Sequence, residues 1–196
     1  MTIKQFNGTY YQNEDRILFR FNTQNQEEYR FWLTRRTTLF ILAATAHLLE
    51  KKLEQMHSPD AAKELSEFEK QTIFENAKSQ NAQSKVYESG LNFPLGYDPI
   101  LVMDVTCALT KNGEKLAQIS DVKDGEIDDN LSLDFVLPGG ANINIKLAGN
   151  TLQTMCVLLD QLRLQAGWGE AILQIKNSSP EQQNSETKKS QNISIH

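Results

Sequence analysis

Arg16-Ile-Leu-Phe-Arg-Phe21, Asn22-Thr-Gln-Asn-Gln-Glu27 and Glu28-Tyr-Arg-Phe-Trp-Leu33 form the continuous stretch whose reading decides the fold. Side chains alternate between the two faces of a strand. Ile17, Phe19 and Phe21 therefore share one face, with Arg16, Leu18 and Arg20 on the other. The same alternation groups Tyr29, Phe31 and Leu33, with Arg30 and Trp32 opposite. The polar connection between the two runs has hairpin length. Thr34 stands where a helix cap belongs, and Leu39, Leu42, Ala43, Ala46, Leu49 and Leu53 keep helical spacing behind it. The stretch reads as a β-hairpin feeding an amphipathic helix.

The pattern returns further along the chain. At an offset of 116 residues, Ile3 falls on Ile119, Ile17 on Leu133, Phe19 on Phe135, Phe31 on Leu147, Leu42 on Leu158 and Ala46 on Leu162. Few matched pairs are identities; what recurs is the apolar patterning. Residues 3–49 and 119–165 read as one hairpin–helix unit used twice. The fold expected is α+β and pseudo-two-fold, an antiparallel sheet with the long helices packed on one face. Two similar lobes joined through residues 79–98 are the alternative.

The remaining segments fit around these units. Ile3 to Phe6 is a short strand, and Asn7-Gly8 a turn after it. Ser58-Pro59 starts an inserted helix, about 58–78, with Leu65, Phe68, Thr72 and either Ile73 or Phe74 as a weak apolar stripe. Residues 79–98 form an irregular connector. Ile100 to Leu109 is apolar on both faces, which predicts a central strand. Asn112-Gly113 supplies the positive φ angles of a tight hairpin, with Lys115 to Val122 as its return strand. Pro138-Gly-Gly links a second hairpin, Leu131–Leu137 and Asn142–Leu147. Asn150, with Gln153 three residues on, caps the last long helix, and Gly167 ends it. The expected domain covers residues 1–176, and the polar composition of 177–196 predicts a disordered tail.

The 196 residues carry a net charge of −5, which argues against broad electrostatic capture of nucleic acid. Cys107 and Cys156 each lie in an apolar run, and their spacing fits neither a zinc site nor a disulfide framework. No signal-peptide pattern precedes the first strand, and Leu39–Leu49 is too short to span a bilayer. A soluble, cytoplasmic protein that engages no membrane is expected.

Arg20, Arg30 and Trp32 share the face opposite the core stripe, beside Arg16, and Arg35 and Arg36 follow in the first helical turn. Guanidinium groups pair with phosphates and an indole stacks on an unpaired base, so these residues are candidates for nucleic-acid or anion binding. Cations at a helix start oppose the macrodipole by about 0.3–1 kcal/mol each, a cost a bound anion would relieve. The competing reading is cross-strand pairing with Glu14, Glu27 and Glu28. The acidic run Asp121–Asp129 lacks EF-hand spacing and reads as a solvated turn. His47, His57 and His196 do not converge, and no P-loop, GxSxG, HExxH or CxxC spacing occurs. No stretch resembles a characterised family. The sequence therefore points to a non-catalytic binding or accessory module without metal or cofactor. It would act through a protein partner or self-association, with single-stranded nucleic acid as the alternative ligand.

Overall fold

A computed structural model describes residues 2–80, 86–111, 114–115 and 130–170, the side chains of 70, 73, 74 and 76–80 excepted. Strands β1 (Ile3–Tyr11), β2 (Arg16–Thr23) and β3 (Glu28–Thr34) form an antiparallel meander, and β4 (Ile100–Leu101) pairs with β3 in parallel. A second sheet has the order β6 (Glu114–Lys115), β5 (Asp104–Lys111), β7 (Asn130–Val136), β8 (Asn142–Ala148), all antiparallel. Helices α1 (Arg35–Leu53), α2 (Pro59–Gln80) and α3 (Gly149–Gln165) complete the described chain.

The first hairpin has the register that alternation demands. Ile17 lies opposite Leu33, Phe19 opposite Phe31 and Phe21 opposite Tyr29. All but Tyr29 are fully buried, each worth about 1.5–3 kcal/mol of transfer free energy. Phe31 meets Phe135 of the second sheet edge-on at 5.3 Å, so both sheets close one core. The Thr34 hydroxyl accepts from the Thr37 N–H and starts α1.

The chain differs from its sequence reading in four places. Two sheets form rather than one, because the apolar run from Ile100 breaks at Val102-Met103. The Val102 N–H donates to the Trp32 carbonyl (3.0 Å), and the Met103 N–H to the Val136 carbonyl (2.9 Å). Two residues thus join the first sheet and the rest the second; strand twist makes such splitting a usual end for a large sheet. Second, Asn7-Gly8 lies inside β1 and makes no turn. An added Cβ at Gly8 would run into Leu162 Cδ1, so the glycine admits α3 onto the strand. Third, Asn150 is not a cap: β8 enters α3 directly through Gly149, whose φ is +46°. Fourth, the starts of the two hairpins and of the helices after them are spaced by 114 residues, against the 116 of the sequence pattern. Arg16 and Asn130 open β2 and β7, Glu28 and Asn142 open β3 and β8, and Arg35 and Gly149 open α1 and α3.

At that spacing the buried Thr38, Ile41 and Thr45 of α1 correspond to the buried Leu152, Met155 and Leu159 of α3. The helices cross over: α3 packs on β1 of the first sheet, while α1 packs on β5 of the second. Asn112-Gly113, residues 116–129 with the acidic run, residues 81–85 of the connector and the tail 177–196 lie outside the described residues. Within the described residues, no helix is long and apolar enough to cross a membrane.

Candidate interaction surfaces

The arginine-bearing face of the first sheet is covered by residues 86–98 of the same chain. Arg20 donates to Asn7 Oδ1 (2.6 and 3.2 Å) and lies 5.0 Å over the Tyr87 ring. Arg30 donates to Glu28 Oε1 (2.7 Å) and to the Tyr97 carbonyl (3.2 Å), with its guanidinium over the rings of Phe93 (4.7 Å) and Tyr97 (4.0 Å). Glu28 is the centre of this arrangement. Its side chain is fully buried, and Oε2 accepts the Gly90 N–H at 2.7 Å. Its own N–H donates to the Asn92 carbonyl, while Leu91 and Asn92 donate to the Gln26 carbonyl.

Gly90 has to be glycine here. A Cβ would stand 2.8 Å from Gln26 O, Glu28 N and Glu28 Cβ. The close backbone approach is what lets the strap of 86–98 reach the carboxylate. Asn22, opposite Glu28, adds a bond to the Glu88 carbonyl (2.6 Å), and Lys4 pairs with Glu88 at 2.6 Å. Burial, and then the Glu28 carboxylate it faces, raise the Tyr87 hydroxyl above its ordinary pKa; that hydroxyl has no hydrogen-bond partner among the described residues.

The other candidates lie toward the start of α1. Arg16 stacks on Trp32 at 3.9 Å and pairs with Glu14, and Trp32 meets Tyr11 edge-on at 5.1 Å. Arg36 donates to the Met103 carbonyl (2.8 Å), and Arg35 is exposed. Arg20 and Arg30 therefore stand beneath the strap, while Trp32, Arg35 and Arg36 stand beyond it. Two of the acids expected to pair with these arginines do so, but locally rather than across strands: Glu14 stands two residues before Arg16, and Glu28 two residues before Arg30 on the same strand. Trp168 packs inward, donating to Asp15 Oδ1 (2.7 Å).

The helical side carries a second surface. A cavity of about 400 Å³ opens between α1, α2 and α3. Leu42 and Leu49 of α1 and Leu152, Val157 and Leu164 of α3 form its apolar walls. Ser66, Glu67, Glu69 and Gln71 line it from α2. Thr45 also lines it, and its buried hydroxyl has no hydrogen-bond partner among the described residues. The α2 residues described along the cavity are thus polar. Leu65 and Phe68 of α2 face outward.

Cys156 borders the cavity, and Cys107 lies on β5; the two are not joined in a disulfide. Burial, with smaller contributions from Cys156 and Asp134, pushes the Cys107 thiol up to about 12. His47 is half-buried and His57 exposed, and no metal-holding cluster of His, Cys, Asp or Glu occurs among the described residues. Sequence reasoning missed Gly90 and the strap, and it offered Glu28 only as a surface pairing partner, not as a buried anchor. The available signal was an acid two residues before Arg30, on the arginine face. Comparison with protein-family models, with curated proteins and with solved structures finds no match.

Proposed function

We propose that the protein is a non-catalytic interaction module whose contact element is the outward side of α2. One observation carries this reading: Leu65 (37% exposed) and Phe68 (68% exposed) lie one helical turn apart and face solvent, while Ala62 of the same helix is fully buried. An apolar pair at helical spacing on an exposed helix is the form in which a helix enters a partner's groove. The partner is another protein or a second copy of this chain, met in the cytoplasm without a membrane.

A photo-crosslinking residue at position 68, irradiated in cells and resolved by mass spectrometry, tests it. One discrete adduct, lost on Leu65→Glu, is the expected result. The same adducts from position 63, elsewhere on the helix, would overturn it.

The same reading takes the two hairpin–helix units as one unit used twice about a pseudo-two-fold axis. The 114-residue recurrence and the exchange of helices, α3 onto β1 and α1 onto β5, support it. Single-stranded nucleic acid is the second reading, favoured by the exposed Arg35 and Arg36 beyond Thr34, which lies opposite Arg16 of the Arg16–Trp32 stack. Salt-sensitive fluorescence anisotropy of labelled oligonucleotides that is lost in Trp32→Ala would support it. Full binding in Trp32→Ala would remove the stacking.

A further inference from the structure

We propose that the cavity beneath α2 binds a small, uncharged, largely apolar molecule carrying one hydrogen-bonding group. Its volume, about 400 Å³, falls among those of small-molecule sites. The walls contributed by α1 and α3 are largely apolar, with Leu42, Leu49, Leu152, Val157 and Leu164 suiting an apolar body beside the polar Gln153 and Asp160. Among the described residues, the α2 side presents Ser66, Glu67, Glu69 and Gln71, which do not fill apolar space.

Thr45 supplies the independent observation. It is 1% exposed, it lines the cavity, and its hydroxyl has no partner among the described residues. A buried hydroxyl without a partner is destabilising. The corresponding position of α3 holds Leu159, fully buried, so the fold itself accepts a leucine at this place in its helix. A hydrogen-bonding group on a bound molecule gives the Thr45 hydroxyl its missing partner.

The charges around the cavity select against anions. No Lys or Arg lines it among the described residues, and three carboxylates do. Asp160 is held by Arg163 at 2.7 Å, and no ion pair engages Glu67 or Glu69 among the described residues. A carboxylate or phosphate would meet these groups without compensation. A neutral alcohol, phenol or arylamine would not.

N-Phenyl-1-naphthylamine, a neutral aromatic with one N–H, is the probe. Titrated into the full chain, it is expected to bind saturably with enhanced, blue-shifted fluorescence. 1-Decanol should displace it, and decanoate should do so at least about tenfold less well. Ala46→Trp places bulk at an exposed position of the cavity wall, where the fold tolerates it, and is expected to abolish binding with an unchanged circular dichroism spectrum. Thr45→Val keeps the shape and removes the hydroxyl. It should weaken decanol about fivefold, the worth of one neutral hydrogen bond.

Absence of saturable binding, or full binding in a folded Ala46→Trp, overturns the site. Unchanged decanol affinity in Thr45→Val, or decanoate equal to decanol, overturns the ligand class. Should Ala46→Trp not fold, Thr45→Val reads the same cavity without added bulk. Crosslinking from position 68 reads the outer side of α2, so the two proposals fail separately.

Discussion

On the first sheet, Arg20 and Arg30 lie beneath residues 86–98, Arg20 under the Tyr87 ring and Arg30 bonded to the buried Glu28 carboxylate that also holds the Gly90 N–H. On the second, the outward face is a polar ladder. Asn144 donates to Ser132 Oγ (2.6 Å) and Asp134 Oδ1 (2.7 Å), and Asp134 pairs with the half-exposed Lys115. Both faces arise from the same alternation of apolar and polar residues along paired strands. The difference comes from segments outside those strands. Where a strap crosses, the face becomes interior, and its charges must be matched by hydrogen bonds. On the ladder, Lys115 is half-exposed and Asp134 keeps part of its access to water, so their pairing is worth less than one closed off completely. Charge on a strand face is thus no measure of how much that charge holds.

Glu28→Ala breaks the comparison most strongly. It leaves Arg30 and the Gly90 N–H without their acceptor and should lower stability by about 3 kcal/mol. Asp134→Ala on the open ladder should cost less than about 1 kcal/mol. Urea denaturation of both variants reads the difference, and equal losses would erase the distinction between the faces. Gly90→Ala comes next, at about 1–3 kcal/mol, because the added methyl meets backbone atoms that cannot yield cheaply. Hydrogen exchange should speed up at the Leu91 and Asn92 amides, and exchange unaltered there would mean that the strap is held elsewhere.

Smaller effects sharpen the comparison between the two long helices. Thr38 is buried with its hydroxyl unpartnered among the described residues, whereas Leu152 fills the matching place in α3. Thr38→Val should therefore gain about 1 kcal/mol, and a loss on denaturation would show that the hydroxyl is used. The smallest effect is in pH. Cys107 titrates near 9.0 when unfolded and near 12 in the fold, so the folded chain holds its proton more tightly. Stability from this thiol is intact below pH 9 and falls as pH rises from 9 toward 12. Cys107→Ala should flatten that slope, measured by thermal melts between pH 8 and 10.5.

The hairpins were legible because Ile17, Phe19, Phe21, Phe31 and Leu33 alternate without a break, and Thr34 marks the helix start beyond them. The sequence pattern aligns at 116 residues while the hairpin starts are spaced by 114, and alternation within strands does not separate the two offsets. A two-residue slip in a strand returns every side chain to its own face, so Phe19 matches Phe135 as well as Leu133. Only the helices separate the two choices, through Thr38 and Thr45 lying on buried Leu152 and Leu159. Gly8 was read as a turn because its reason for being glycine, Leu162, stands far away in the chain. The strap was invisible to periodicity: it is fixed by Glu28 and by backbone groups, and neither leaves a pattern in residues 86–98. The cavity was illegible because the α2 residues described along it, Ser66, Glu67, Glu69 and Gln71, are polar and carry no apolar stripe.

Trp168 bonding to Asp15 and Leu162 packing over Gly8 carry a consequence for the order of events during synthesis. The first strand leaves the ribosome long before the helix that covers it, and the apolar faces of Phe6, Phe19 and Phe21 must wait until nearly all of the described chain has emerged. The closing contacts join residues 153 apart, a separation that slows the search for the native arrangement. The early half is exposed for that whole interval, so association with other nascent chains competes with folding until α3 arrives.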